Sequence, residues 1–239
     1  MASTTARTSG IAERLSQEIL DGTLEVGQVL SEGDLARRYG VSRTPVREAL
    51  VALEHSGIVQ RHRSGVLIAE PSATEILDIY DVRVALEGEA SRLAALRRTD
   101  LDLGLLAAVC DAADSEQDLS RLAILSKKFH EALRNASHND VLVGLLQQLD
   151  VSLARFRGTT LAEAGRPPAA RRQHRDLLLA IRDHHAEEAE RISRAHLVEA
   201  RAIRLEQYAR AFGENGSGAP VEQAASGETR AARAGRRDR

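Results

Sequence analysis

Three histidines have a distribution that suits metal coordination. His130, His174 and His196 lie on three separate predicted helices, each inside an amphipathic pattern. If the three imidazoles meet inside a helical bundle, they form a facial site for a divalent cation and leave positions open for water or a ligand. Spacing alone leaves a second interpretation open, in which each histidine is a hydrogen-bonded or surface residue.

A cluster of arginines in the N-terminal part of the chain suits a different chemistry. Segment 36–65 has six arginines against two glutamates, although the formal net charge of the whole chain is -2. Arg43 and Arg47 are four residues apart and share one face of a predicted helix. Their guanidinium groups match the O6 and N7 acceptors of guanine, or phosphates. The cluster indicates a local nucleic-acid surface, and its members are Arg37, Arg38, Arg43, Arg47, Arg61 and Arg63.

The elements that would position these arginines form a predicted helix-turn-helix followed by a hairpin. Helical patterns cover about 11–20, 31–40 and 42–57, and the last of these carries the arginine pair at its start. In such a motif the N-terminal residues of the second helix of the pair meet base edges in the major groove. Two short apolar runs flank a basic stretch with Arg63 and Gly65, which predicts a wing. Alone, a helix pair with a glycine turn is common, and the wing strengthens the prediction.

The rest of the chain predicts helices only. The fold class is therefore mainly α: a winged helix-turn-helix domain over 10–71 and an all-α helical-bundle effector domain over 72–212. Residues 1–9 and the Gly/Ala/Ser-rich tail 213–239 are predicted to be disordered. The predicted helices of the bundle are 73–97, 100–114, 118–136, 139–163, 168–184 and 186–212.

Bulk properties exclude several classes of protein. Hydrophobic residues make up 43% of the chain and charged residues 28%, which is sufficient for a buried core. No apolar run approaches the roughly 18 residues of a membrane span, and no signal peptide precedes the first helix. The single cysteine, Cys110, excludes an intramolecular disulfide. These features predict a soluble cytoplasmic protein.

The run Leu-Ala-Arg-Arg-Tyr-Gly-Val-Ser-Arg-Thr-Pro-Val-Arg-Glu-Ala-Leu over 35–50 resembles the winged helix-turn-helix signature of the GntR family. The helical remainder is similar to the ligand-sensing FCD-type domain of the FadR branch. The resemblance implies a homodimer that reads a short palindromic operator through Arg43 and Arg47. It also implies that Ser42 and Thr44 anchor phosphates and that Gly65 forms the wing tip. Many relatives carry an arginine where this chain has Gly33, which removes one expected DNA contact.

The same resemblance changes the interpretation of the histidines. The FadR branch commonly has an aspartate four residues before the first histidine, and Ser126 stands at that position here. Two interpretations follow: the histidines hold zinc or nickel and the effector's carboxylate adds a ligand, or they bind an anionic ligand directly. We favour the metal. Arg83 resembles a pocket arginine that pairs with a ligand carboxylate, but an Arg83–Glu87 surface pair would explain it equally well.

The sequence thus predicts a non-enzymatic, ligand-responsive transcription regulator, a repressor, whose effector is a small organic acid. Two alternatives stay open. A metal-dependent hydrolase or lyase could use the three histidines around an activated water, but it lacks a convincing general base and leaves 11–70 unexplained. An architectural DNA-binding protein could use its helical domain only to dimerise.

Overall fold

The N-terminal part of the chain builds three helices and a small sheet. The structure is a computed structural model that describes residues 2–70, 72–156 and 158–214. The strands are antiparallel, in the order β1-β3-β2, with Gly65 paired to His62 and Val29 to Leu67. The elements are α1 (Ala2–Leu20), β1 (Val29–Leu30), α2 (Glu32–Tyr39), α3 (Arg43–His55), β2 (Val59–His62) and β3 (Gly65–Ile68).

Local signals fix the turn between α2 and α3. The Ser31 side chain accepts a hydrogen bond from the Asp34 N–H and so caps α2. Gly40 ends the helix with φ 66°, the left-handed conformation that glycine adopts without a Cβ penalty. Ser42 is the N-cap residue of α3, but its side chain makes no capping hydrogen bond. This leaves an exposed hydroxyl at the start of α3.

Two features of this part differ from the sequence prediction. Residues 2–9, predicted to be disordered, belong to α1, since no proline interrupts the segment and adding a turn to an existing helix gains one hydrogen bond per residue. Strand β1 was not predicted, because two residues show no periodicity. It forms by pairing with β3, and a Cβ at Gly65 would lie 2.2 Å from the Leu30 carbonyl oxygen.

The C-terminal part is an antiparallel bundle of six α-helices with one short 3-10 turn. Its core is aliphatic, with Leu106, Leu146, Leu177 and Ile181 fully buried. Cys110 is buried there as a free thiol, and burial raises its pKa to about 11. The elements are α4 (Ala73–Arg97), α5 (Asp100–Ser115), α6 (Leu119–Ala136), α7 (Asp140–Ala154), a 3-10 turn (Thr160–Ala162), α8 (Arg166–Arg182) and α9 (Ala186–Glu214).

The predicted helix 139–163 is wrong in its second half. Helix α7 ends at Ala154, and Gly158 adopts φ 79°, which a helix does not accept. Apolar residues in this stretch do occur at helical spacing, but Leu161 packs from the 3-10 turn instead. The first two residues of the predicted tail, 213 and 214, belong to α9. The rest of that tail, 215–239, lies outside the described residues.

The end of α7, in the C-terminal part of the chain, contacts the N-terminal part. Val151 is buried in the same core as Ile11 and Leu15 of α1. Arg155, whose side chain is fully buried, donates from Nη1 to the carbonyl oxygens of Gly57 and Ala69 at 3.0 and 3.3 Å. Its Nη2 pairs with Glu75 of α4. One arginine therefore ties the base of the wing and the end of α3 to the bundle.

Candidate functional site

A cavity of about 430 Å³ opens among α4, α6, α7, α8 and α9. Its wall includes Leu20 of α1, so the cavity reaches the DNA-binding part of the chain. The lining is rich in cationic side chains: Arg83, Lys127, Arg134, Arg166 and Arg204. Among the residues lining it, Asp150 is the one carboxylate. This balance favours an anionic ligand.

The structure brings the three predicted histidines together beside this cavity. One candidate ligand nitrogen from each of His130, His174 and His196 lies within 4.8 Å of the other two. The ring centroids are 5.0 to 5.1 Å apart. His174 and His196 are 5% exposed, and Phe129 stacks on the His174 ring at 4.2 Å. The three helices therefore present a compact set of imidazoles to one point.

Burial prepares two of these rings, His174 and His196, to act as neutral metal ligands. Nδ1 of His196 lies 2.7 Å from Gln173 Oε1 and 3.2 Å from the Arg166 Nη2 donor. When Nδ1 carries the proton and donates to Gln173, the closer of the two, Nε2 is left for a ligand. The buried Nε2 of His174 has no hydrogen-bond partner in the described part of the chain. Burial, followed by the nearby charge of His130, lowers the pKa of His174 and His196 well below 6.5. Neutral imidazole is the form that binds metal.

Ser126 and Arg83, the two predicted ligand-binding residues, both line the cavity. Arg83 does pair with Glu87, Nη2 to Oε1 at 3.0 Å. The pair is buried rather than on the surface, with Glu87 at 0% and Arg83 at 9% exposed. The Nε of Arg83 has no hydrogen-bond partner among the described atoms.

A buried ionic network next to His130 was not predicted from the sequence. Arg134 donates from Nε to Glu87 Oε1 at 3.2 Å and from Nη1 to Asp150 Oδ2 at 2.5 Å. Glu87 Oε2 lies 3.8 Å from His130 Nδ1. Burial opposes ionisation of Glu87, but the charges of Arg134 and Arg83 and the interaction with His130 together outweigh it and hold the pKa of this carboxyl well below its usual range. The network ties α4, α6 and α7 together at the edge of the cavity.

The predicted DNA-contacting side chains lie on the surface of the N-terminal part. The start of α3 presents Ser42, Arg43, Thr44 and Arg47, all exposed. Arg63 is exposed in the turn between β2 and β3, and Gly65 is half-buried as the first residue of β3. The wing tip is thus the turn at 63–64.

Two of the predicted arginines are engaged within the chain. Arg38 turns back onto α1, with Nη2 3.2 Å from Glu18 Oε2. Arg37 pairs with Asp34 on its own helix. The structure therefore gives both arginines acidic partners, Glu18 of α1 for Arg38 and Asp34 of α2 for Arg37. A sequence-level signal existed for Arg37, since it follows Asp34 by three residues.

Comparison with known families covers both parts of the chain. Residues 7–68 match the model described as bacterial regulatory proteins, gntR family, and residues 78–199 match the FCD domain. The chain belongs to the GntR family. Its second domain is an FCD domain, and the winged helix-turn-helix of this family is the DNA-binding part of a transcription regulator.

Relatives of this GntR-family protein are transcription regulators. This chain is 29% identical over 188 residues to the HTH-type transcriptional regulator YdhC of Bacillus subtilis, and the match covers 77% of this chain and 84% of that protein. It is 33% identical over 162 residues to the Glc operon transcriptional activator of Escherichia coli K12, covering 58% of this chain and 64% of that protein. The solved structure of E. coli McbR/YncC superposes with a TM-score of 0.67 at 25% identity, covering 84% and 98% of the two chains.

The family assignment fits the other structural findings. The residues that match the GntR model fold into helices and a three-stranded sheet. The residues that match the FCD domain fold into helices with one 3-10 turn. No helix in the described part of the GntR-family chain is long and apolar enough to cross a membrane. The three histidines and the cavity fall inside the FCD domain or at its edge.

Proposed function

We propose that this GntR-family protein is a ligand-responsive repressor whose FCD pocket takes a small organic acid. The observation that carries the proposal is the convergence of three histidines beside a cationic cavity in the FCD domain. Arg83, Lys127 and Arg204 supply the charge that a carboxylate needs for binding. Glu87 and Asp150 pair with Arg83 and Arg134, and the charges of Lys127 and Arg204 are the ones that these two carboxylates leave uncancelled.

The donor set fits a divalent metal. Three imidazoles suit zinc or nickel, and the buried Nε2 of His174 has no hydrogen-bond partner within the described residues. His130, His174 and His196 would hold the ion. When bound, the metal would supply Lewis acidity that attracts the effector's carboxylate. Ser126 contributes no negative charge, so we expect weaker metal binding than at a site that includes a carboxylate.

The acid-binding proposal is favoured over a catalytic role for the same site. Carboxylates around the site are already ion-paired: Glu87 and Asp150 with Arg134, and Glu199 with Arg166. Glu87 is a poor general base, because the surrounding charges hold its pKa well below the usual range. The relatives described above are transcription regulators.

The end of α7 offers a physical route from the pocket to the DNA-binding domain. Asp150, Leu153 and Phe156 line the cavity, and Arg155 between them bonds the carbonyl groups of Gly57 and Ala69. An effector changes DNA binding only if it binds one arrangement of the two domains better than the other. We propose that the acid shifts residues 150–156 and so changes the position of α3.

The operator is proposed to be a short palindrome bound by a homodimer. Two recognition helices of a dimer match half-sites about 34–36 Å apart. A change in their spacing would break this match and release the DNA, which is why we propose repression with relief by the acid. Arg43 and Arg47 would read bases, and Ser42, Thr44 and Arg63 would contact the backbone.

The proposal is tested on the purified full chain with DNA from its own upstream region. His174→Ala should reduce bound zinc or nickel, measured by elemental analysis, and should reduce the response to small carboxylic acids in a gel shift. Its DNA binding without acid should stay as in the wild type. His185→Ala, at an exposed histidine outside the cavity, is the matched control and should change neither property.

The outcomes separate the two interpretations of the histidines. An acid response without metal in the wild type would mean that the histidines bind the anion directly. An unchanged acid response in His174→Ala would show that this pocket is not the sensor.

A further inference from the structure

Arg47 on the recognition helix is held by a carboxylate from another helix. Its Nε lies 2.9 Å from Glu32 Oε1, and its Nη2 lies 2.8 Å from Glu32 Oε2. Glu32 is the first residue of α2, 15 residues away in sequence. This is a two-point, fork-to-fork pair, which fixes both the position and the plane of the guanidinium. A long side chain that would otherwise sample many rotamers is restricted before any DNA binds.

The pairing leaves Arg47 a free edge with the chemistry of a guanine reader. Glu32 accepts hydrogen bonds from the Nε–H and from one N–H of Nη2. The other N–H of Nη2 and those of Nη1, at the end of the guanidinium, remain available to a base. Those N–H groups are the ones that can donate together to O6 and N7 of guanine. Because Glu32 also neutralises the charge of Arg47, this arginine adds little to phosphate attraction. Its contribution is to sequence discrimination.

The neighbouring residue, Gly33, lies beside the second arginine. A Cβ placed on Gly33 would lie 3.4 Å from Arg43 Nη2 and 3.7 Å from Arg43 Cζ. The Arg43 guanidinium therefore packs over the first turn of α2. Both candidate base readers therefore lie against the start of α2, Arg47 through its pair with Glu32 and Arg43 beside Gly33.

We propose that Glu32 is a specificity-determining positioning residue, which sets Arg47 to read a guanine in the operator. The proposal rests on the proposed operator binding. Glu32 does not touch the base. It acts through Arg47, and its effect is on discrimination between sequences rather than on overall attraction to DNA.

The test compares variants of the full chain on a duplex selected from a random pool by the wild-type protein. One guanine at a time is replaced with 7-deazaguanine, which lacks the N7 acceptor. The wild type should lose about tenfold in affinity at the guanine read by Arg47. Glu32→Gln should lose most of that discrimination, to within about twofold. Its affinity for a duplex of unrelated sequence should stay equal or rise, since one negative charge is removed.

Two further variants separate positioning from charge and from folding. Glu32→Asp keeps the charge but shortens its reach by one methylene, so it should lose discrimination while affinity for unrelated DNA stays unchanged. Glu54→Gln removes the same charge from a pair with Arg61 near the wing, Nη2 to Oε2 at 3.0 Å. It should keep the wild-type discrimination.

The outcomes distinguish this inference from the proposed function. Wild-type discrimination in both Glu32 variants would overturn the positioning role of Glu32 and leave operator binding intact. Failure of the wild type to select any sequence would overturn operator binding itself. A Glu54→Gln variant that loses discrimination like Glu32→Gln would show that the effect is one of general charge, which also refutes the proposal.

Discussion

The contact between the FCD domain and the DNA-binding domain depends on Arg155, and replacing it with methionine tests this directly. Methionine keeps much of the aliphatic volume but has no hydrogen-bond donor. Arg155→Met leaves the carbonyl oxygens of Gly57 and Ala69 and the carboxylate of Glu75 without this donor. The Arg155 side chain is fully buried in the wild type, so the two carbonyl oxygens lose their donor in the interior of the protein.

The expected loss of stability is about 3 kcal/mol. Removing one partner of a buried ion pair typically costs about 3–5 kcal/mol. We take the lower end, because the Glu75 side chain is 34% exposed and water can partly solvate it once Arg155 is gone. For a chain of this length, about 3 kcal/mol corresponds to a decrease in Tm of roughly 6–12 °C.

The assay is thermal unfolding of the full chain followed by circular dichroism. Arg191→Met is the matched control, since Arg191 is 66% exposed and pairs only with Glu188 on its own helix in the described structure. The control should change the free energy of unfolding by no more than about 0.5 kcal/mol. If Arg155→Met unfolds at the same temperature as Arg191→Met, the buried arginine does not join the two domains energetically.

Two other predictions follow from the structure. Gly65→Ala should destabilise the DNA-binding domain by about 2 kcal/mol or more in urea unfolding, because φ is 150° and the new Cβ would lie 2.2 Å from the Leu30 carbonyl oxygen. A stability equal to the wild type would show that β1 does not pass this close. In metal-free protein the free energy of unfolding should fall as pH decreases below about 6.5, by up to about 1.4 kcal/mol per pH unit for each histidine with a lowered pKa. His174 and His196 are neutral in the folded chain, so the unfolded chain binds more protons at these two residues. In His174→Ala the free energy of unfolding should depend less on pH. An unchanged pH dependence would contradict the burial of this ring.

Much of the DNA-binding domain could be predicted because its signals are local. The cap at Ser31, the glycine turn at Gly40 and the apolar stripe of α3 each act within a few residues. Strand β1 could not be predicted, because it exists only through its pairing with β3. The pair between Arg47 and Glu32 was also out of reach, since it joins residues on two helices whose relative position depends on the packed domain.

The pocket, too, combines residues that local sequence signals predict with contacts that only the packed helices create. The three histidines could be singled out because each lies on a helix with a clear apolar period, and the resemblance to a known branch indicated that they belong together. The Glu87–Arg134–Asp150 network could not, because charged residues in a helical pattern normally read as a solvated face. Burial of such a set is a property of three helices packed together, and it is visible only in the structure.

Control of DNA binding by an acid is tested most directly by measuring the affinity of the purified chain for DNA upstream of its own gene while small carboxylic acids are added. We expect at least one acid to weaken binding by roughly 5- to 150-fold, the usual range of coupling between two sites. Specific DNA binding that no acid in the panel alters would contradict it.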